Sequence, residues 1–276
     1  MKQALKLKGF LATAAFLVSS AASAVSGYAW NAGTGTGNLV FSPDALSALK
    51  TSGSSVLTTS TIPSLTNLTG LTVGAINAAS YTKANGTVSL TFNDATGVGD
   101  TLTTLQAANS LVNIRRTLVE DGVVLGTLNV YMANFNVNLT NSTIFADLYT
   151  STDAGALVSF GKRAIFTADV PGVVGGTGGN IVLDSVSANG VANGHASGSL
   201  AGNLRINTAA ADIILTALDL GTTGPVADLV RNANWGATSA SGVFTAPALV
   251  PEPSTYALMG LGLCGIGLLN RRRHQA

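Results

Sequence analysis

Residues 112–132 read VNIRRTLVEDGVVLGTLNVYM, and this stretch decides the fold. Apolar and polar side chains alternate before Asp121-Gly122, and a second apolar run follows directly after it. Alternation with a period of two is typical of a half-buried strand, and Asp-Gly accepts the positive φ of a tight hairpin turn. The stretch therefore predicts a long antiparallel hairpin.

The apolar positions change phase further along the second strand. From 128 to 132 the large apolar residues stand at even positions, and from 135 to 139 they stand at odd positions. A shift of one residue would move every buried side chain to the other face of a sheet. The sequence therefore predicts a bulge or a turn at Ala133-Asn134.

Strands dominate the rest of the chain as well. Alternating segments predict strands at 87–93, 143–149, 163–170, 181–187 and 199–206. Two segments with an apolar face predict short helices, one starting at Pro43 behind the capping residue Ser42 and one at 209–220, which Gly221 ends. Segments 29–38, 172–180 and 232–248 are rich in Gly, Asn and Ala and have the composition of linkers. We expect residues 25–249 to be mainly β, an antiparallel β-sandwich-like body with two short helices.

The body carries few charges. The whole chain has a net charge of +1, but residues 25–249 contain eight basic and twelve acidic residues, a net charge of −4. Nucleic-acid binding needs clustered Lys and Arg, so no nucleic-acid partner is expected. The one cysteine, Cys264, lies outside the body, which therefore has neither disulfide nor thiolate chemistry.

The first 24 residues are typical of a secretory signal peptide. A lysine-rich start is followed by a short apolar segment, residues 9–18, and then by small residues suited to a cleavage site, Ala22 and Ala24 before Val25. Signal peptidase is therefore an expected partner, and the mature chain would begin near Val25. An uncleaved membrane anchor is the alternative.

The last segment, residues 250–276, has three parts in a fixed order. An extended turn, Pro251-Glu252-Pro253-Ser254, precedes an apolar run from 256 to 269, and the cluster Arg271-Arg272-Arg273 follows. Prolines disfavour helix in the residues before them, and arginines after an apolar run hold that end in the cytoplasm. A buried core helix is the alternative, because a membrane span usually needs about 20 residues.

These three parts resemble the PEP-CTERM sorting signal of exosortase-processed proteins in Gram-negative bacteria. The resemblance implies export, transient anchoring in the inner membrane by a C-terminal transmembrane helix, and cleavage by an exosortase near the motif. In that family the cargo often belongs to the exopolysaccharide or biofilm setting. The resemblance covers only the tail and does not identify the body.

The body offers no catalytic constellation that the sequence reveals. His195 is its only histidine, Ser197 and Ser199 are merely its sequence neighbours, and the body has no Gly-x-Ser-x-Gly nucleophile elbow. A glycine-rich segment that reaches Asn180 resembles one calcium β-roll repeat, but a single copy cannot build the ligand cage. We expect no catalytic residue, no cofactor and no metal site.

Localisation is therefore better predicted than activity. We expect an exported surface or extracellular-matrix protein with a structural or adhesive role, whose polar Asn, Thr and Ser faces contact exopolysaccharide or other matrix proteins. The alternatives are a secreted hydrolase that acts on matrix polysaccharide through aspartates and a haem- or calcium-binding domain. A strand followed by a short helix occurs twice, at 37–41 and 202–206, and this pattern resembles bacterial surface HtaA-type β domains, some of which bind haem. No ligand residue carries over from that resemblance.

Overall fold

A computed structural model describes residues 28–58, 79–152, 157–168, 174–200 and 203–247. These residues form fourteen strands and three helices. The strands are β1 (Ala29–Trp30), β2 (Ala32–Val40), β3 (Ser54–Thr58), β4 (Ser80–Thr82), β5 (Thr87–Phe92), β6 (Asp94–Val98), β7 (Thr101–Glu120), β8 (Val123–Asn138), β9 (Thr143–Thr152), β10 (Val158–Ala168), β11 (Val174–Val186), β12 (Ala192–Leu200), β13 (Leu204–Ile206) and β14 (Ala237–Ala246). The helices are α1 (Pro43–Thr51), α2 (Thr208–Ala217) and α3 (Pro225–Asn232).

All the strand pairs are antiparallel and belong to one continuous sheet, which divides into two parts. The aliphatic half-sheet runs β13-β10-β9-β8-β7, with β3 and β6 also paired to β7. The glycine-rich half-sheet runs β11-β12-β14-β2-β5-β4. Within the described residues, the two parts share one ladder pair, Asn180 with Thr101. The prediction of a mainly β, antiparallel fold is confirmed.

The hydrophobic core lies between the two half-sheets. Val130, Leu148 and Ile165 of the aliphatic half-sheet are fully buried, and Phe92 and Phe244 cover the core from the other side. Their burial removes large apolar surfaces from water, at about 25 cal/mol for each Å². The core therefore fixes which face of each strand points inward.

The hairpin predicted from the opening stretch is confirmed. β7 and β8 pair from Glu120↔Val123 back to Thr104↔Asn138, and the two loop residues have φ of 50° at Asp121 and 79° at Gly122. Two consecutive residues with positive φ make the mirror-image turn whose twist matches that of antiparallel strands. The pairing that this turn starts runs the length of both strands, with register shifts between Leu118 and Val119 and between Ala107 and Leu111.

The predicted break in phase is a bulge. The register of β8 against β9 shifts between Ala133 and Asn136, and Asn134 has φ of 52°. The Asn134 side chain holds the bulge, because its Oδ1 accepts a hydrogen bond from the Asn109 backbone N–H at 2.9 Å and its Nδ2 donates to Asp147 Oδ2 at 2.8 Å. The extra residue swaps the buried face, as the change from even to odd positions requires.

Both predicted helices are present, although the second spans Thr208–Ala217 instead of 209–220, and the first has the expected serine cap. The Ser42 hydroxyl accepts from the Ala45 backbone N–H at 3.2 Å, and Asn207 Oδ1 accepts from the Ala209 N–H at 3.1 Å. The expectation of two helices is nevertheless wrong, because the described residues contain a third, α3. Its sequence does carry helix signals, because Pro225 stands at its first position and Arg231 in its last turn, but they span only eight residues and no side chain caps its start.

The three segments interpreted as linkers are strands for much of their length. Residues 29–38 form β1 and most of β2, residues 174–180 begin β11, and residues 237–246 form β14. In β2 and β14 most inward positions are glycine or alanine, so the alternation of large apolar and polar residues that marks a strand is missing. The strand predicted at 199–206 is also divided, since β12 ends at Leu200 and β13 begins at Leu204.

Candidate binding surface and core cavity

The outer side of the glycine-rich half-sheet presents hydroxyl and amide groups to solvent, beside the exposed valines Val182 and Val243 that pair with His195. We call this set the polar face; its members are Thr34, Thr36 and Asn38 of β2, Ser239, Ser241 and Thr245 of β14, Asn193, His195 and Ser197 of β12, and Ser89 and Thr91 of β5. Each member is exposed or half-buried. They share one side because residues two apart along a strand point the same way.

Strand register places these side chains in rows across the strands. One row runs Ser197, Ser241, Thr36, Thr91 over β12, β14, β2 and β5, and the next runs Ser239, Asn38, Ser89, Ser80. Neighbouring strands lie about 4.8 Å apart, so each row repeats its polar groups at that spacing. Within the second row, the Ser89 hydroxyl donates to Asn38 Oδ1 at 2.6 Å.

The chemistry of the polar face is that of a neutral hydrogen-bonding surface. A hydroxyl can donate one hydrogen bond and accept two, and a side-chain amide can do both at separate atoms. His195 is the one titratable member of the set. Such a surface recognises neutral polar groups and gives little long-range electrostatic attraction.

His195 has an acidic partner that sequence spacing alone did not reveal. Its Nδ1 lies 2.6 Å from Asp184 Oδ1, and the two side chains are 57% and 47% exposed. β11 and β12 form a hairpin, and a register irregularity between Leu183 and Ser185 lies at Asp184. A strand was predicted around Asp184 at 181–187, but β12, which carries His195, was not predicted, so the hairpin that brings the two side chains together could not be foreseen.

A cavity of about 100 Å³ lies between the two half-sheets. One wall includes Gly37, Gly198 and Ala240 of the glycine-rich half-sheet, whose side chains fill little space. Most of the other described residues that line the cavity are large and apolar.

The residues predicted for processing lie outside the part of the chain that the structure describes. They are Ala22, Ala24 and Val25 at the first cleavage site, Pro251, Glu252, Pro253 and Ser254 in the sorting motif, and Arg271, Arg272 and Arg273 after the apolar run. Within the described residues, none of the helices combines the length and apolarity needed to cross a bilayer. The same residues contain no group of three or more His, Cys, Asp or Glu side chains that could hold a metal ion.

Residues 249–273 match the family described as the PEP-CTERM protein-sorting motif. The chain therefore carries this motif, and the recognition made from its tail is confirmed. The motif implies an exported protein that is anchored transiently in the membrane and processed by an exosortase. The match covers only the C-terminal segment and does not assign residues 25–249 to a family.

No curated protein matches the chain. Among solved structures, the C-terminal domain of HtaA from Corynebacterium glutamicum is 13% identical, with 77% of this chain and 99% of that chain covered and a TM-score of 0.35. A likeness at that level supports no inference about the ligand of this protein.

Proposed function

We propose that the processed body is a non-enzymatic, β-sandwich-like module of the cell surface or extracellular matrix that adheres to exopolysaccharide. In this proposal, signal peptidase removes residues 1–24 and an exosortase removes the tail near Pro251–Ser254. The body then stays at the surface or in the matrix. The rows of hydroxyl and amide groups on the polar face are the observation that carries the proposal.

A polysaccharide presents many hydroxyl groups along one chain, and the polar face offers repeated donors and acceptors to meet them. Each neutral hydrogen bond contributes about 1 kcal/mol net, so a single contact is weak. Contacts repeated along a polymer act together and raise the overall avidity. Because the polar face is almost free of charge, retention on a neutral polymer should change little with salt concentration.

The test compares two pairs of threonines on opposite parts of the molecule. Thr34→Val with Thr36→Val removes two exposed hydroxyls from the polar face at constant side-chain volume. Thr117→Val with Thr152→Val makes the same change at exposed positions of the aliphatic half-sheet. In affinity electrophoresis through exopolysaccharide from the producing cells, we expect the first variant to lose at least about tenfold in affinity, the loss that about 1.4 kcal/mol gives. Equal retention of both variants would refute the proposal.

Processing is tested separately. Mass spectrometry of the protein isolated from wild-type cells should show the loss of residues 1–24 and of the C-terminal segment. A strain without its exosortase should keep residues 250–276 attached. An intact C-terminus in wild-type cells would contradict the processing step without bearing on the polar face.

A hydrolase acting on matrix polysaccharide is the second candidate, favoured by the contact between His195 and Asp184. In a Ser-His-Asp triad, the acid holds the imidazole through Nδ1, which is the contact found here. Ser197 follows His195 by two residues and lies on the same side of β12. Polysaccharide cleavage that Asp184→Asn abolishes, in a variant that still adheres, would favour this function over the proposed one.

Haem or calcium binding is a further alternative. Spectroscopic titration with haem and calorimetry with Ca²⁺ on the same preparation distinguish it from adhesion, because either ligand would bind without polysaccharide.

A further inference from the structure

We propose that the cavity between the two half-sheets binds the hydrocarbon chain of a lipid. Asn38 and Ser239 border both the polar face and this cavity, but the other residues that line the cavity lie outside the polar face. Opposite the wall of Gly37, Gly198 and Ala240, the cavity is closed by Val112, Met132 and Phe135. Its ligand therefore does not depend on the adhesive role proposed above.

The size of the cavity exceeds what a packing gap needs. A single water requires about 10 to 15 Å³ of such volume, and this cavity offers about 100 Å³. Water is a poor occupant, since a buried water usually makes about three hydrogen bonds to polar groups around it. Cavities with apolar walls instead stay dry or take apolar ligands.

The lining selects the chemical class of the ligand. Of the described residues that line the cavity, none carries a charge. Three of its four hydroxyl and amide residues already have partners within the protein: Thr238 Oγ1 accepts from the Leu200 N–H at 3.1 Å, Asn38 Oδ1 accepts from Ser89, and Ser199 also has a partner. The fourth, Ser239, is exposed to solvent. A polar head group buried here would lack hydrogen-bond partners and would be disfavoured. An alkyl or acyl chain needs no hydrogen bonds, so its burial has no such cost. The head group, if one is present, stays outside the cavity.

A tryptophan in the cavity wall allows ligand binding to be followed by fluorescence. Trp235 lines the cavity, whereas Trp30, the other tryptophan of the chain, is buried elsewhere in the core. Terminally brominated undecanoic acid quenches a tryptophan that its bromine contacts. Titrated below its micelle concentration into the mature protein, it should quench the Trp235 emission saturably, and the Tm should rise with ligand concentration. In Trp235→Phe, the quenching should disappear while the rise in Tm remains.

A variant with a larger side chain in the cavity wall tests the proposal most directly. Ala240→Leu extends into the cavity and should weaken binding at least about tenfold. Val112→Leu, a smaller addition on the opposite wall, provides the same test if Ala240→Leu does not fold. Val243→Leu is the control, because it lies on the same strand but is 63% exposed, and it should bind as the wild type does. Thr34→Val with Thr36→Val should also bind the probe unchanged, which separates this site from the polar face.

Two sources could supply such a chain, and the probes distinguish them. Quenching by the free brominated acid alone assigns the cavity to free fatty acids, and quenching by vesicles of brominated phosphatidylcholine assigns it to membrane lipid. The proposal is overturned if neither probe quenches the wild-type protein. It is equally overturned if the folded cavity-filling variant binds as tightly as the wild type.

Discussion

The two half-sheets obey the same ladder geometry but are built from opposite residue types. The aliphatic half-sheet turns side chains such as Val130, Met132 and Leu148 into the core. The glycine-rich half-sheet turns Gly35 and Ala196 toward the same core and leaves its hydroxyl groups in solvent. One part is therefore stabilised mainly by apolar burial, and the other mainly by strand pairing and close backbone approach.

Because of this difference, most of the large core side chains that strands supply lie in one half-sheet, and the candidate binding sites involve the other. Among the strands, those of the aliphatic half-sheet contribute most of the large buried side chains of the hydrophobic core. Small inward residues leave the glycine-rich half-sheet with room for the cavity on one side and a regular polar surface on the other. Both candidate sites consequently involve the part that contributes less to the apolar core.

The largest effect is expected from a truncation in the aliphatic half-sheet. Leu148 is fully buried in the core, and Leu148→Ala should lower the free energy of unfolding by about 3 to 4 kcal/mol through lost burial and a new cavity. Leu125→Ala is the matched control, because Leu125 is 61% exposed near the hairpin tip and should change stability by less than about 0.5 kcal/mol. Urea unfolding measures both. Similar midpoints for the two variants would mean that the core does not depend on this half-sheet.

The next effect tests the close approach of strands in the glycine-rich half-sheet. Gly35 pairs with Gly242, and a Cβ on Gly35 would stand 2.2 Å from the backbone oxygen of Ser241. Since backbone cannot rotate away, Gly35→Ala should cost about 2 to 3 kcal/mol, a typical cost of overpacking.

The neighbouring change Thr36→Ala is the control for that prediction. Thr36 is exposed, so the variant alters strand propensity alone and should cost less than about 1 kcal/mol. Thermal unfolding followed by circular dichroism compares the two. If Gly35→Ala unfolds at the wild-type temperature, β2 and β14 do not approach as closely as described.

The same contrast explains what the sequence could predict. In the aliphatic half-sheet, the alternation around Asp121-Gly122 and the phase change at Ala133-Asn134 predicted both the hairpin and the bulge, because large apolar residues mark the buried face. In the glycine-rich half-sheet, β2 and β14 looked like linkers, since glycine at an inward position gives no hydrophobic period. Such segments become strands because they pair with strands that are distant in sequence, and a short stretch of sequence carries no information about that pairing.

The candidate sites show the same limit. A polar Asn, Thr and Ser face was expected in general terms, but its rows depend on the register between β14 and β2, which are about 200 residues apart in sequence. The Asp184 partner of His195 depends on the β11–β12 hairpin, and the cavity depends on how two half-sheets face each other. The polar rows, the His195–Asp184 contact and the cavity therefore have no characteristic residue spacing in the sequence that could have predicted them. The processing signals are contiguous, and the sorting motif was accordingly recognised from its residues.

The smallest effect is expected at the polar face, where side chains contribute little to stability. His195 and Asp184 are both about half exposed, so solvent screens their contact, and His195→Ala should change the free energy of unfolding by less than about 0.5 kcal/mol. Arg231→Ala is the comparison, because Arg231 donates to Asp212 Oδ1 at 2.5 Å and to the Thr222 carbonyl at 2.6 Å and its side chain is only 24% exposed. That variant should lose about 1.5 kcal/mol or more, as for other hydrogen bonds that involve a charged group. A loss for His195→Ala as large as that for Arg231→Ala would mean that side chains of the polar face help to stabilise the fold. The stability of the glycine-rich half-sheet would then not come from backbone pairing and core packing alone.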